Sequence, residues 1–135
     1  MHDGPAYSAE TNGILIRVRP SYLAGQSDPE AGRWVWAYQV EIVNLSGSTV
    51  QLMARRWTIT DAHGHVGEVR GPGVVGEQPV IAAGASYSYA SGCPLAANGG
   101  SMVGAYFMTD ADGRSFEADI AAFSLDTPGA RRVLN

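Results

Sequence analysis

Lysine is absent from these 135 residues: every basic side chain is an arginine, nine in all, set against thirteen Asp and Glu. The resulting net charge of −4 and a pI near 5.2 exclude nonspecific binding to nucleic acid or an anionic membrane. Such partners demand a concentration of cationic side chains that is missing here. Cys93 is the single cysteine, which rules out an internal disulfide or a cysteine-rich zinc centre and suits a reducing compartment. No unbroken apolar run reaches membrane-spanning length, so no membrane insertion is expected. Met1-His2-Asp3-Gly4-Pro5 has neither a basic region nor an apolar stretch behind it. A secretory signal is therefore not expected, and the reading is a cytoplasmic protein. Also lacking is any apolar period of 3.6 residues sustained over three turns, which leaves no amphipathic helix.

What is there is apolar and short-period. Apolar residues make up 45% and charged residues 16%, a globular composition at the length of one domain. Residues 1–12 read as a flexible lead-in. Ile14, Ile16 and Val18 alternate with Arg17 and Arg19 in a first strand that Pro20 is expected to stop. Residues 21–32, with Gly, Ser, Asp and Pro, read as loop. Trp34 to Asn44 is the clearest strand, with Trp34, Trp36, Tyr38, Val40 and Ile42 on one face. Trp36 is expected in the core and Trp34 nearer the surface. After the turn at residues 44–48, Val50 to Asp61 places Met53, Arg55, Trp57 and Ile59 on one side. Arg55 on that side is expected at an edge or beside a carboxylate. Asp61-Ala62-His63-Gly64 and Asp110-Ala111-Asp112-Gly113 are turns. Further short strands are read at residues 65–69, 80–81, 86–91, 102–109 and 114–123, and residues 126–135 as a polar tail. Short strands between Gly, Asp and Asn turns indicate an all-β sandwich of antiparallel strands, in one domain spanning residues 13–125.

Gly71-Pro72-Gly73-Val74-Val75-Gly76 has the spacing of a dinucleotide-binding loop. That motif works only where a strand ends and a helix begins, so that helix amides meet the pyrophosphate. Here Glu77-Gln78-Pro79 and a β-like run follow, and the plain reading is a strand connection. Two further readings attach to the loop. Successive amides, with Arg70, Glu77 and Gln78 beside them, would form an anion-binding nest. Alternatively Val74 and Val75, apolar between glycines, would form a protein-contact surface. The candidate binding residues are thus Arg70, Gly71, Gly73, Val74, Val75, Gly76, Glu77 and Gln78. Ser91 and Cys93 stand outside any nucleophile elbow, and Cys93 reads as a structural thiol.

Residues 55–92 as a whole resemble the signature of the ApaG family. The match continues through Gly92-Cys93-Pro94-Leu95 and Gly100-Ser101-Met102-Val103-Gly104-Ala105-Tyr106, and reaches back to Trp34-Val35-Trp36-Ala37-Tyr38. The resemblance implies an immunoglobulin-like or fibronectin type III-like fold in a bacterial protein associated with cobalt and magnesium homeostasis or efflux. It also implies kinship with domains fused into eukaryotic F-box and polymerase-interacting proteins, a reuse that suits recognition better than catalysis. The cation association directs attention to His63 and His65 with Asp61 and Glu68 nearby, and to His2-Asp3. None completes a recognised ligand set, so no metal site and no cofactor is assigned. The expectation is a non-enzymatic binding or adaptor module for an unidentified protein partner, with self-association as a homodimer left open. The alternative is a protein that binds a phosphorylated nucleotide, pyrophosphate or a divalent metal at the glycine loop.

Overall fold

The computed structural model describes residues 6–128. Among them nine strands form, in chain order β1 (Tyr7–Thr11), β2 (Ile14–Tyr22), β3 (Trp34–Asn44), β4 (Val50–Asp61), β5 (Val66–Pro72), β6 (Val80–Ile81), β7 (Ser86–Leu95), β8 (Gly100–Asp110) and β9 (Ser115–Leu125). They make two antiparallel sheets: β1-β2-β3-β7, and β5-β4-β8-β9 with β6 also pairing β4. Among the described residues helix is limited to single 3-10 turns at Ala24–Gln26 and Pro29–Ala31. No helix among the described residues is long and apolar enough to cross a membrane.

Alternation drives the packing. The inward faces of β2 and β3 bury Ile14, Ile16, Val18, Trp36, Tyr38, Val40 and Ile42. They meet Trp57, Met102, Tyr106, Ile120 and Phe123 from the other sheet. Trp57 sits at the centre, its indole edge-on to Tyr38 at 5.3 Å and to Phe123 at 5.8 Å between centroids. Trp36 is buried and its indole Nε1 donates to the Asp126 carbonyl at 2.8 Å. Trp34, half-buried at the strand start, packs on the rim of the same cluster.

Three local expectations differ from what forms. Tyr7–Thr11, read as part of a lead-in, is a strand joined to β2 by a two-residue turn at Asn12-Gly13, both at positive φ. Pro20 does not stop β2, which runs on to Tyr22. β1 pairs no further along β2 than Val18, so Pro20 has no neighbour on that side and its missing amide costs nothing. Pro94 likewise lies within β7, the outermost strand of its sheet. Finally, a bulge between Leu52 and Ala54 switches the face of β4. Leu52 and Trp57, an odd number of residues apart, are both buried. Met53, expected inward with Trp57, is half-buried and its carbonyl serves the glycine loop instead.

Asn44, the one buried polar side chain among the described residues, ties the turns together. Its Nδ2 donates to the Ser48 and Ile81 carbonyls at 2.8 and 3.0 Å. Its Oδ1 accepts from the Ser46 amide and hydroxyl at 3.0 and 2.6 Å. Every hydrogen-bonding site of the amide is thereby used, which is what makes full burial tolerable.

Candidate functional site

The glycine loop closes β5 onto β6 along one edge of β4. Gly73 donates its amide to the Met53 carbonyl at 2.9 Å, continuing the β4–β5 ladder. Val74 and Glu77 then exchange amide–carbonyl bonds at 2.8 and 2.9 Å. This makes a tight hairpin whose two central residues, Val75 and Gly76, stand at φ +43° and +83°. Two positive φ values in succession define a type I′ turn, whose first position favours Asn or Asp. A β-branched side chain there is a backbone outlier. Three loop amides, those of Gly73, Val74 and Glu77, are thus spent on carbonyls of the same chain. Beyond Gly76 the chain passes Gln78-Pro79 into β6 rather than into a helix.

The candidate residues do not converge on one point. Val74 is fully buried in the core cluster, whereas Val75 is 55% exposed; the expected pair of exposed valines is therefore a single one. Gln78 is held down, its Nε2 donating to Met53 O at 2.9 Å and its carbonyl accepting from Gln51 Nε2 at 3.1 Å. Glu77 faces the Tyr87 hydroxyl, whose pKa is raised by burial and then by that carboxylate. Arg70 belongs to β5 opposite Arg56 and pairs with Glu68, Nε to Oε1 at 2.9 Å. That hydrogen bond and the guanidinium charge hold the Glu68 carboxyl below its ordinary value. The cation that does reach the loop is Arg55. Its Nη1 donates to the carbonyls of Pro72 and Gly73, each at 3.0 Å. The guanidinium lies over Gly71, 3.1 Å from where a Cβ would stand. Of the two expectations for Arg55, an edge position or a carboxylate partner, the second is not what forms: it binds backbone carbonyls. The signal was its inward parity on β4, which a charged residue needs a reason to have.

Behind Arg55 stand tyrosines. Tyr89 and Tyr106 share a hydrogen bond between their hydroxyls. Burial raises the pKa of Tyr38, Tyr89 and Tyr106, so all three remain neutral donors and acceptors at ordinary pH. Cys93 is buried and desolvation lifts its thiol to about 11. At the far end of β4, Asp61 Oδ1 caps the turn by accepting the amides of His63 and His65 at 2.8 and 3.0 Å. His65 Nδ1 lies 3.2 Å from Asp61 Oδ2, and the His63 ring is 6.2 Å from that of His65. No group of three or more His, Cys, Asp or Glu able to hold a metal ion is assembled among the described residues; His2 and Asp3 lie outside them.

Among the described residues no strand pairs the outer edge of β5. β5 is exposed along nearly its whole length, Val66 at 67% and Val69 at 40%, with Val80 of β6 at 65% beyond the loop.

Comparison with known proteins places these features in a family. A family model described as the ApaG domain matches residues 24–110. Protein ApaG of Brucella suis biovar 1 is 61% identical over 129 residues, covering 96% of this chain and 99% of that protein. Among solved structures, one described as an ApaA protein from Bordetella pertussis superposes with a TM-score of 0.84 at 43% identity, covering 87% of this chain and 95% of that one. A second, an X-ray structure from a structural-genomics programme, also has a TM-score of 0.84, at 40% identity and with 92% and 94% covered.

Proposed function

The chain belongs to the ApaG family, and we propose that it is a non-catalytic binding or adaptor module. It engages a protein partner through the hairpin tip between β5 and β6, and its association with cobalt and magnesium homeostasis runs through that partner. The observation that carries this reading is Val75. A β-branched residue at φ +43° costs folding free energy, and its side chain contributes nothing to the core because it stands in solvent. Strain of this kind persists where the surrounding structure over-determines it, and it clusters at binding sites. Val74 supplies the anchor, buried directly beside it, so the tip is presented rigidly and loses little entropy on binding.

Val75→Asn is the discriminating substitution. Asn-Gly is the preferred pair for a type I′ turn, so the variant folds with stability equal to or above the parent. Capture of the partner from lysate, read by mass spectrometry against the parent protein, is expected to fall. Unchanged capture by a folded Val75→Asn protein overturns the reading.

The competing reading, a phosphorylated nucleotide or pyrophosphate at the loop, draws its support from Arg55. Among the described residues no carboxylate lies within ion-pair distance of it. A thermal-shift titration decides between the two: ligand at a hundred times its dissociation constant adds about 2.7 kcal/mol. Stabilisation by pyrophosphate or nucleotide that is lost in Arg55→Gln would favour the small-ligand reading.

A further inference from the structure

The exposed edge of β5 is self-complementary, and we propose that it pairs antiparallel with β5 of a second copy of this chain, centred on Val69. The surface is distinct from the hairpin tip and does not rest on the partner reading above.

The β4–β5 ladder decides which backbone groups of β5 are free. Asp61 donates to the His65 carbonyl and Gly73 to the Met53 carbonyl, so the two ends of the β4–β5 ladder are hydrogen-bonded rungs. The register between them has no shift. By the alternation of an antiparallel ladder, Arg55–Gly71, Trp57–Val69 and Ile59–Gly67 are bonded rungs as well. Gly67, Val69 and Gly71 thus direct their amides and carbonyls into the sheet. Glu68 and Arg70 direct theirs outward, and no strand among the described residues pairs that side of β5. An open row of this kind is a template for another strand.

The side chains then choose the strand. Reading outward from Val69, the sequence is Gly67-Glu68-Val69-Arg70-Gly71. A twofold axis through Val69, perpendicular to the sheet, places Glu68 opposite Arg70 of the second copy and Arg70 opposite its Glu68. It places each glycine opposite a glycine and the valines opposite each other. The Glu68–Arg70 rungs are then the hydrogen-bonded ones, matching the groups that point outward. The Val69 rung is unbonded, the kind in which facing side chains approach most closely. Both charges lie on the outer face, side-chain exposure 51% and 62%, so the pairing buries neither of them. On the inner face Gly67 has nothing within 4 Å of where a Cβ would stand, and the atoms nearest that point at Gly71 are those of the Arg55 guanidinium. Charged residues usually guard an edge by repelling a second copy. Placed with opposite signs either side of the centre, they attract one instead. Pro72 has no amide and ends the pairing.

Sedimentation equilibrium of the wild-type chain is expected to show a concentration-dependent dimer that weakens with salt. Glu68→Arg and Arg70→Glu each set like charges opposite one another on both sides of the axis. Each alone is expected to raise the dissociation constant by more than about tenfold. An equimolar mixture of the two variants restores association as a heterodimer, and Glu68→Arg/Arg70→Glu together restores the homodimer. Circular dichroism confirms that each variant is folded. As a readout that needs no substitution, hydrogen exchange at the Glu68 and Arg70 amides of the wild-type chain slows as concentration rises. A wild-type chain that remains monomeric throughout, single variants that dimerise as the parent does, or a mixture that stays dissociated would each overturn the proposal.

Discussion

Gly73 carries two constraints at once. Its φ of +58° lies in the left-handed region, and a Cβ there would stand 2.0 Å from the Glu77 carbonyl oxygen. That carbonyl accepts the Val74 amide and cannot withdraw without opening the hairpin. Gly73→Val is expected to cost about 2 kcal/mol or more, read as a fall in the denaturation midpoint. A loss below about 0.5 kcal/mol would mean that the loop relaxes freely. Trp36 is the larger residue-scale case. It is 1% exposed, and its ring meets Tyr22 edge-on at 5.4 Å. Trp36→Ala is expected to cost about 3–5 kcal/mol, the range for deleting a buried aromatic. An effect under about 1 kcal/mol in chemical denaturation would contradict its place in the core.

At the scale of elements, the β4–β5 and β8–β9 hairpins are turned by the same chemistry. Asp61 Oδ1 accepts the amides of residues 63 and 65, and Asp110 Oδ1 those of residues 112 and 114. Gly64 and Gly113 take positive φ at the matching position. Desolvation works to raise the Asp61 carboxyl, but the His65 and His63 amides and the His65 ring outweigh it and the net value is lowered. A carboxyl whose folded pKa lies below its unfolded one stabilises the fold above the ordinary carboxylate range. That contribution is lost as pH falls through the lowered value. Melting temperature is therefore expected to drop below about pH 4. Asp61→Asn, which keeps an oxygen for the amides but cannot ionise, should show a shallower drop. Parallel acid limbs for the two proteins would refute the role given to the charge.

For the molecule as a whole, closure of the sandwich depends on a residue just past the last strand. Asp126 offers its carbonyl to Trp36 Nε1 across the fold, and Thr127 Oγ1 donates to the Asn98 carbonyl at 2.5 Å. The start of what reads in sequence as a polar tail thus completes the core. Truncation after Leu125 strands a buried indole N–H and is expected to cost about 1–3 kcal/mol. Calorimetry of the shortened chain tests this, and an unchanged melting temperature would show that the indole finds another acceptor.

Period-two alternation with an aromatic face was enough to read β3, the sandwich class and the buried position of Trp36, because a half-buried strand must repeat every second residue. The two Asp-Ala-X-Gly turns were equally legible, since Asp caps and Gly takes positive φ without help from distant residues. β1 carried a legible signal too: Asn12-Gly13 ahead of an alternating run is a hairpin signature, outweighed by the polar composition around it. The face of Leu52 could not be read the same way. A bulge inserts a residue whose presence is decided by what lies across the sheet, and every parity after it inverts. The destination of Arg55 was hidden for a related reason. The carbonyls it binds lie on another strand, and local pattern shows only that it points inward. That the Gly73, Val74 and Glu77 amides are spent on carbonyls of the same chain was likewise a tertiary matter. It turned on the Met53 carbonyl freed by the β4 bulge and on Val74 finding a place in the core. Alternation is imposed by each strand's own geometry, whereas bulges, loop partners and strand edges are settled only when the two sheets meet.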